Sequence, residues 1–201
     1  MRSILVGTTL AATLSLTPTS GGLSSANAPL ALQPQSRLWV DGTSNVRSWS
    51  CAAATLDAAV ETTAPGAVNA VMRGLKVVKS ATLTVESAKL DCHSGKTSEH
   101  MRKALKTDEY PAITFRMTTY NLSTESEGAL GTATGELTLG GTTKPITVKG
   151  SVTQEANGVL HITGTHALRM KEYGLKPPSL MMGTMKVKDA VKVHFDLLLK
   201  A

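Results

Sequence analysis

The sequence predicts an all-β fold: an eight-stranded antiparallel β-barrel with one short helix. Three observations carry this. Apolar and polar residues alternate with period two over much of the chain, most cleanly in 186–200, where Val187, Val191, Val193, Phe195, Leu197 and Leu199 share one face. Two hairpin signals, Gly140-Gly141 and Asn157-Gly158, lie between such alternating runs. A half-apolar sheet of about eight strands must close or fold over to bury its face, and closure also removes its open edges. A two-sheet sandwich is the alternative.

The N-terminus stands apart from this pattern. Arg2 precedes an apolar run over 4–16, followed by small and polar residues up to Ala26-Asn27-Ala28. This reads as a secretory signal peptide, 1–26, cleaved after Ala26 with Ser24 as the small residue two before it. The division expected is a signal peptide at 1–26, a flexible leader at 27–36 and a barrel domain at 37–201. The protein is therefore expected to be exported, periplasmic or secreted. No cysteine lies near the cleavage site, so no lipid anchor is expected, and no later segment is apolar for long enough to cross a membrane.

Strands begin at Arg37, with Leu38 and Val40 alternating with Trp39 and Asp41, and 42–44 reads as a turn. The pattern resumes at 46–49. Over 51–61, Ala52, Ala54, Leu56, Ala58 and Val60 share a parity. Pro65-Gly66 is a turn signal. The stretch 71–90 reads mostly as strand, with Leu75, Val77, Ala81, Leu83 and Val85 on one face. Lys79 falls on that same face, which requires a bulge or a lysine reaching a barrel mouth. The one helix is expected within 98–117, where Met101, Ala104 and Leu105 recur at helical spacing, with Thr97 or Ser98 as N-cap. Tyr110-Pro111 stops it, since proline lacks an amide hydrogen and disfavours helix at the residue before it. Ile113, Phe115 and Met117 then alternate with Thr114, Arg116 and Thr118. A polar loop is expected at 121–131. Leu137 and Leu139, then Ile146, Val148 and Val152, then Leu160, Ile162, Gly164, His166, Leu168 and Met170 continue the inward parity. Residues 173–184, rich in Pro, Gly and Met, read as a loop.

Eight strands is the size at which a barrel is either filled by side chains or holds one ligand. Ala52, Ala54, Ala58, Ala81, Ala133, Gly135, Gly150 and Gly164 all fall on the inward parity, and Phe115 and Phe195 are the only phenylalanines. Small inward residues leave space, and apolar cavities of this kind stay dry and accept apolar guests. A flattened barrel with its walls in contact is the competing expectation.

Four stretches resemble a known family. Trp39-Val40-Asp41-Gly42-Thr43-Ser44 with Val46 is similar to its first two strands. His100-Met101-Arg102-Lys103-Ala104-Leu105 followed by Tyr110-Pro111-Ala112-Ile113-Thr114-Phe115 is similar to its central helix and following strand. Gly141-Thr142-Thr143-Lys144-Pro145-Ile146 is similar to its Gly-x-Thr-Lys-Pro-Val hairpin, and Asp189-Ala190-Val191 to its last strand. The resemblance is to the YceI-like family of polyisoprenoid-binding, lipocalin-like proteins, and it covers nearly all of the chain after the signal. It implies an eight-stranded lipocalin-like barrel with a long apolar tunnel that binds an isoprenoid quinone or a prenyl diphosphate. The opening of the helix departs from the family pattern, reading Ser98-Glu99-His100-Met101-Arg102. Cys51 and Cys92 resemble the disulfide of a secreted subgroup. The residues alone allow either that pairing, which exported proteins favour, or two buried thiols.

The expected ligand-binding residues are Leu83, Val85, Ile113, Phe115, Leu137, Ile162, His166, Leu168, Val193 and Phe195. His166 reads either as an interior histidine satisfied by the protein or as a hydrogen-bond partner for a polar atom of the ligand. His161 and His166 are five apart on a strand and point to opposite faces, so they do not share an ion. His93 and His100 are seven apart, wider than common zinc pairs. Met181, Met182 and Met185 read as padding of an apolar opening, with Tyr173 and Lys176 completing a lid, or as soft-metal ligands. Asp189, inward by parity, needs a partner such as Lys79 or a backbone amide, or else contacts the ligand headgroup. No metal, cofactor or catalytic residue is expected. The chain has no Gly-x-Ser-x-Gly, His-Glu-x-x-His or phosphate-loop motif.

The formal net charge of +6 favours anionic lipid surfaces or an anionic ligand. Nucleic acid is not an expected partner, because aromatics make up only 3% of the chain and no basic cluster is interleaved with stacking residues. The function expected is an exported carrier of a long isoprenoid lipid or quinone with possible membrane-surface contact. A filled barrel acting as an envelope interaction module is the alternative.

Overall fold

The computed structural model describes residues 29–126 and 128–201. The signal peptide expected at 1–26 lies outside the described residues. In chain order the elements are β1 (Ala31–Leu32), β2 (Arg37–Ser44), β3 (Ser48–Ala53), β4 (Asp57–Thr62), α1 (Ala67–Met72), β5 (Val78–Glu86), β6 (Leu90–Asp91), α2 (Gly95–Leu105), β7 (Ala112–Glu125), β8 (Gly128–Leu139), β9 (Thr142–Glu155), β10 (Val159–Arg169), β11 (Ser179–Leu180) and β12 (Met185–Lys200). The fold is all-β and antiparallel.

The expected eight strands are not what the sheet shows. Ten strands follow one another in the order β4-β5-β7-β8-β9-β10-β12-β2-β3-β6, curled into a half-barrel. The physical reason lies at 51–61, read as one strand. The chain leaves the ladder at Ala54–Leu56, and β3 and β4 sit at opposite ends of the strand order. A seam therefore separates two strands that are consecutive in sequence. Two short segments cross it. Leu30 bridges to Val60 of β4, while β1, immediately after it, pairs Leu32 with Leu199 of β12. On the other side, β5 pairs with β4 and the chain then turns so that β6 pairs Leu90 with Ala53 of β3. Leu30 and Leu90 are both buried. Residues 30–32, expected in a loose leader, are thus docked into the sheet by an apolar anchor.

Other expectations shift for local reasons. There are two α-helices among the described residues. Ala67, Val68, Ala70 and Val71 bury one face of α1, a spacing of three and four that a period-two reading of 71–90 misses. The N-cap of α2 is Ser94, not Thr97 or Ser98. Ser98 is inside the helix, where its hydroxyl accepts the Cys92 amide hydrogen at 3.0 Å. Lys106, in the left-handed region at φ 55°, ends α2 before Tyr110-Pro111. The polar stretch 121–131 is mostly strand, because β7 and β8 stay paired from Thr114–Thr138 to Glu125–Gly128. The expected turn at 42–44 is the end of β2, and the chain reverses at 45–47, where the Ser44 hydroxyl accepts the Arg47 amide hydrogen at 3.0 Å.

The bulge that Lys79 required is present. Glu61 pairs with Ser80 and Thr62 with Val78, so the ladder skips Lys79. The lysine is exposed and lies 3.5 Å from Glu61. The two glycine-containing hairpins form as read. Gly140 and Gly141, and Asn157 and Gly158, all take positive φ, the conformation tight hairpin turns demand.

Two buried clusters close the interior. One gathers Leu30, Val60, α1, Ala129, Val152, Leu160 and Leu199. The other lies under α2, with Val85, Leu90, Leu105, Leu139, Leu168, Met170, Tyr173, Leu175 and Val191. The space between them is the site.

Candidate functional site: an apolar tunnel

A cavity of about 350 Å³ runs between the two clusters, within the size range of small-molecule sites. Strand parity builds its wall. Leu83, Phe115 and Leu137 are paired neighbours across β5, β7 and β8, and Ile162, Gly164 and His166 face in from β10 opposite Leu197, Phe195 and Val193 of β12. All ten residues singled out in the sequence as ligand-facing lie on this wall.

The small residues divide into two groups. Ala58, Ala81 and Ala133 border the cavity, as does Gly131. Gly164 does not leave space. A Cβ there would come within 2.3 Å of the Phe195 ring, which fills the position. At Gly135 a Cβ would meet the Arg116 backbone oxygen at 2.3 Å, so the glycine admits the close approach of the neighbouring strand at the β7 bulge. Ala52 faces outward, paired with Trp39, because Cys51 takes the inward position opposite Val40. Ala54 is exposed in the break between β3 and β4. The parity read through 51–61 is therefore wrong for its first half.

Polar groups on the wall are few. Tyr120 accepts the Val78 amide hydrogen at 3.0 Å. Thr82 and Lys149 belong to the outward register, opposite Arg116 and Thr132. His166 makes no hydrogen bond to the protein, so the reading of a satisfied interior histidine does not hold. Burial pushes its pKa below the ordinary histidine value. His161, on the opposite face, sits 2.8 Å from Asp196 and 2.9 Å from Glu155. Burial raises the Asp196 pKa, but hydrogen bonds from His161 and Arg37 outweigh it and leave the carboxyl below its usual value.

Trp49 was not singled out by the sequence. Its indole lies over Gly42, where a Cβ would stand 2.0 Å from a ring carbon. Its Nε1–H is buried and has no acceptor. The available signal was Gly42 itself, since glycine inside a strand often marks a close approach. Trp49, Met101 and Met170 also border a smaller cavity of about 60 Å³, lined further by Arg47, His100, Pro178 and Met185. These three side chains form the partition between that side pocket and the tunnel.

The lid expected at 173–184 takes another form. Tyr173 and Leu175 are buried in the cluster under α2, where Leu175 borders the tunnel, and burial with the nearby Glu172 raises the Tyr173 pKa. Met181 and Met182 are exposed, at 71% and 108%. They do not border the tunnel, because both take positive φ and turn outward. Asp189 accepts the Lys171 amide hydrogen at 2.8 Å, so its partner is a backbone amide rather than Lys79. Among the described residues no three His, Cys, Asp or Glu side chains gather in a way that would hold a metal ion. Cys51 and Cys92 form a disulfide, with Cα atoms 3.9 Å apart.

Residues 40–199 match the model of the YceI-like domain. No curated protein matches the sequence. Among solved structures, Burkholderia cenocepacia BcnA is similar at 20% identity with a TM-score of 0.62, over 81% of this chain and 95% of that one. A polyisoprenoid binding domain from Saccharophagus degradans, implicated in plant cell wall breakdown, matches at 13% identity and 0.62, over 88% and 98%. The Campylobacter jejuni YCEI protein matches at 15% and 0.56, over 79% and 85%. At these identities the likeness is one of fold.

Proposed function

This chain belongs to the YceI-like family, and on that premise we propose that it is an exported binding protein that sequesters or carries a long apolar lipid of isoprenoid type, such as an isoprenoid quinone. The tunnel is the observation that carries the reading. Its wall is almost wholly apolar, and a guest there gains roughly 25 cal/mol for each Å² of apolar surface removed from water, less ordering costs. The polyisoprenoid binding described for the Saccharophagus domain supports the same ligand class. The disulfide supports an oxidising compartment. The protein does no chemistry on its guest. Contact with a membrane surface would use the turn at 45–47 and the Met181–Gly183 segment, where exposed Val46, Met181 and Met182 accompany Arg47 and Lys186. Asn45 joins the two segments through the Thr184 carbonyl and the Lys186 amide, each at 2.8 Å.

The test is to fill the tunnel. Ala133 faces it between Tyr120 and Val148. Ala133→Phe is expected to lower uptake of menaquinone-4 by about tenfold or more, a loss of ~1.4 kcal/mol, with an unchanged far-UV circular dichroism spectrum. Unaltered uptake by a folded variant would refute a ligand in this space.

A further inference from the structure

Resting on the carrier reading, we propose that a fork between β9 and β10 is the lateral mouth of the tunnel, the passage by which the lipid chain enters and leaves through the barrel wall. The two ends are packed. Leu30, Val68 and Leu199 are buried at one, and Leu105, Leu139 and Leu175 at the other. The wall is interrupted where the ladder stops. β9 pairs with β8 from Leu139–Thr142 to Ala129–Val152, but with β10 only from Val159–Glu155 to Gly164–Gly150. Beyond the two glycines, 142–149 has no strand on its second edge and 165–169 pairs with β12 alone. The Phe195 ring sits at the apex, where a Cβ on Gly164 would come within 2.3 Å of it and one on Gly150 within 3.3 Å. The far end is closed by the Thr142 hydroxyl, which donates to the Tyr173 carbonyl at 3.1 Å. Ile146 and Val148 on one side and His166 and Leu168 on the other border the tunnel, so the fork opens onto it.

The chain is built to keep this fork apart. Leu139 and Thr142 flank a two-residue turn as a hydrogen-bonded pair, and alternation makes Glu136 and Pro145 a non-bonded pair. The Pro145 nitrogen therefore faces the fork, where it has no hydrogen to donate, and a ladder across the gap would lack a donor at its middle. Proline and the exposed Lys149 on the same edge also discourage a strand from another molecule, which leaves the gap to a guest without a backbone. A second fork gives the contrast. β5 and β7 pair only from Glu86–Ala112 to Thr82–Arg116. There the Tyr120 hydroxyl takes the Val78 amide hydrogen at 3.0 Å, and Lys76 donates to the Asn121 side chain at 2.8 Å, tying the two sides together. Among the described residues no hydrogen bond joins 143–149 to 165–169.

The experiment staples the fork and separates rate from affinity. Thr147 and Ala167 are exposed on the outer face and would oppose one another if the ladder continued. The Thr147→Cys, Ala167→Cys double variant is bridged with bis-maleimides of graded length, and the bridged species is confirmed by intact mass. Ser80→Cys with Thr118→Cys, bridged in the same way across the tied fork, is the control. Exchange of menaquinone-4 with phosphatidylcholine vesicles is then followed in time. The bridge between β9 and β10 should slow association and dissociation each by about tenfold or more with Kd unchanged, as a blocked passage does, and the control bridge should leave both rates as they were. Unchanged rates across the stapled β9–β10 fork, or equal slowing by the control, would overturn the lateral mouth while leaving the carrier reading intact. Absence of menaquinone-4 uptake by the unbridged wild type would overturn both.

Discussion

His166 links tunnel chemistry to stability. Burial lowers its pKa from 6.5 in the folded protein, so on acidification the unfolded chain takes up the proton first. Stability is therefore lost as pH falls below about 6.5, until the folded-state pKa is passed. His166→Leu removes this contribution. Denaturant midpoints measured between about pH 7 and about pH 5 should show the wild type weakening relative to the variant, and a constant difference would contradict a buried neutral imidazole. Gly42 makes a second residue-scale prediction. Gly42→Ala forces the Trp49 indole off the strand and should cost roughly 1–3 kcal/mol, with a shift in tryptophan emission. Unchanged emission and stability would mean that the indole does not lie there. At this scale the inward face was legible wherever a strand ran without interruption, which is why Ile113 and Phe115, or Val193 and Phe195, reach the wall as read. It failed at Ala52 and Ala54, where the chain breaks and the parity inverts. Trp49 was missed because its place depends on the absence of a side chain at Gly42 on a neighbouring strand.

The seam between β3 and β4 is the decisive feature among the elements. It is stitched by Leu30 and β1 on one side and by β6 on the other. The disulfide lies at the second stitch, joining Cys51 of β3 to Cys92, the residue after β6. Its entropic contribution for a separation of 41 residues is about 4 kcal/mol in the chain-restriction account. The Cys51→Ser, Cys92→Ser double variant should lose about 2–5 kcal/mol in denaturant unfolding and should leak bound lipid faster than wild type. Equal retention would show that the seam holds without the bond. The hairpins at Gly140-Gly141 and Asn157-Gly158 were readable because turn chemistry is local. The seam was not, because pairing between 30 and 60, or between 53 and 90, is set by tertiary closure and leaves no periodic mark. Helix α1 was hidden for a related reason: six residues are too few to separate a helical period from an alternating one.

For the whole molecule, the curled sheet, the capped ends and the unfilled centre describe a container. Phe195 shows how finely space is divided. Its ring occupies the positions left by Gly150 and Gly164, yet the alanines at 58, 81 and 133 keep the remaining lumen open. Low aromatic content and inward small residues announced that lumen in the sequence, although which small residues border it required the register. The central claim is that a lipid occupies it. Native mass spectrometry of protein purified from its own host, followed by organic extraction, tests this most directly. The account predicts an adduct of several hundred daltons that extracts as an isoprenoid. A mass equal to the bare, disulfide-bonded chain in repeated preparations, with no uptake of added quinone, would contradict it.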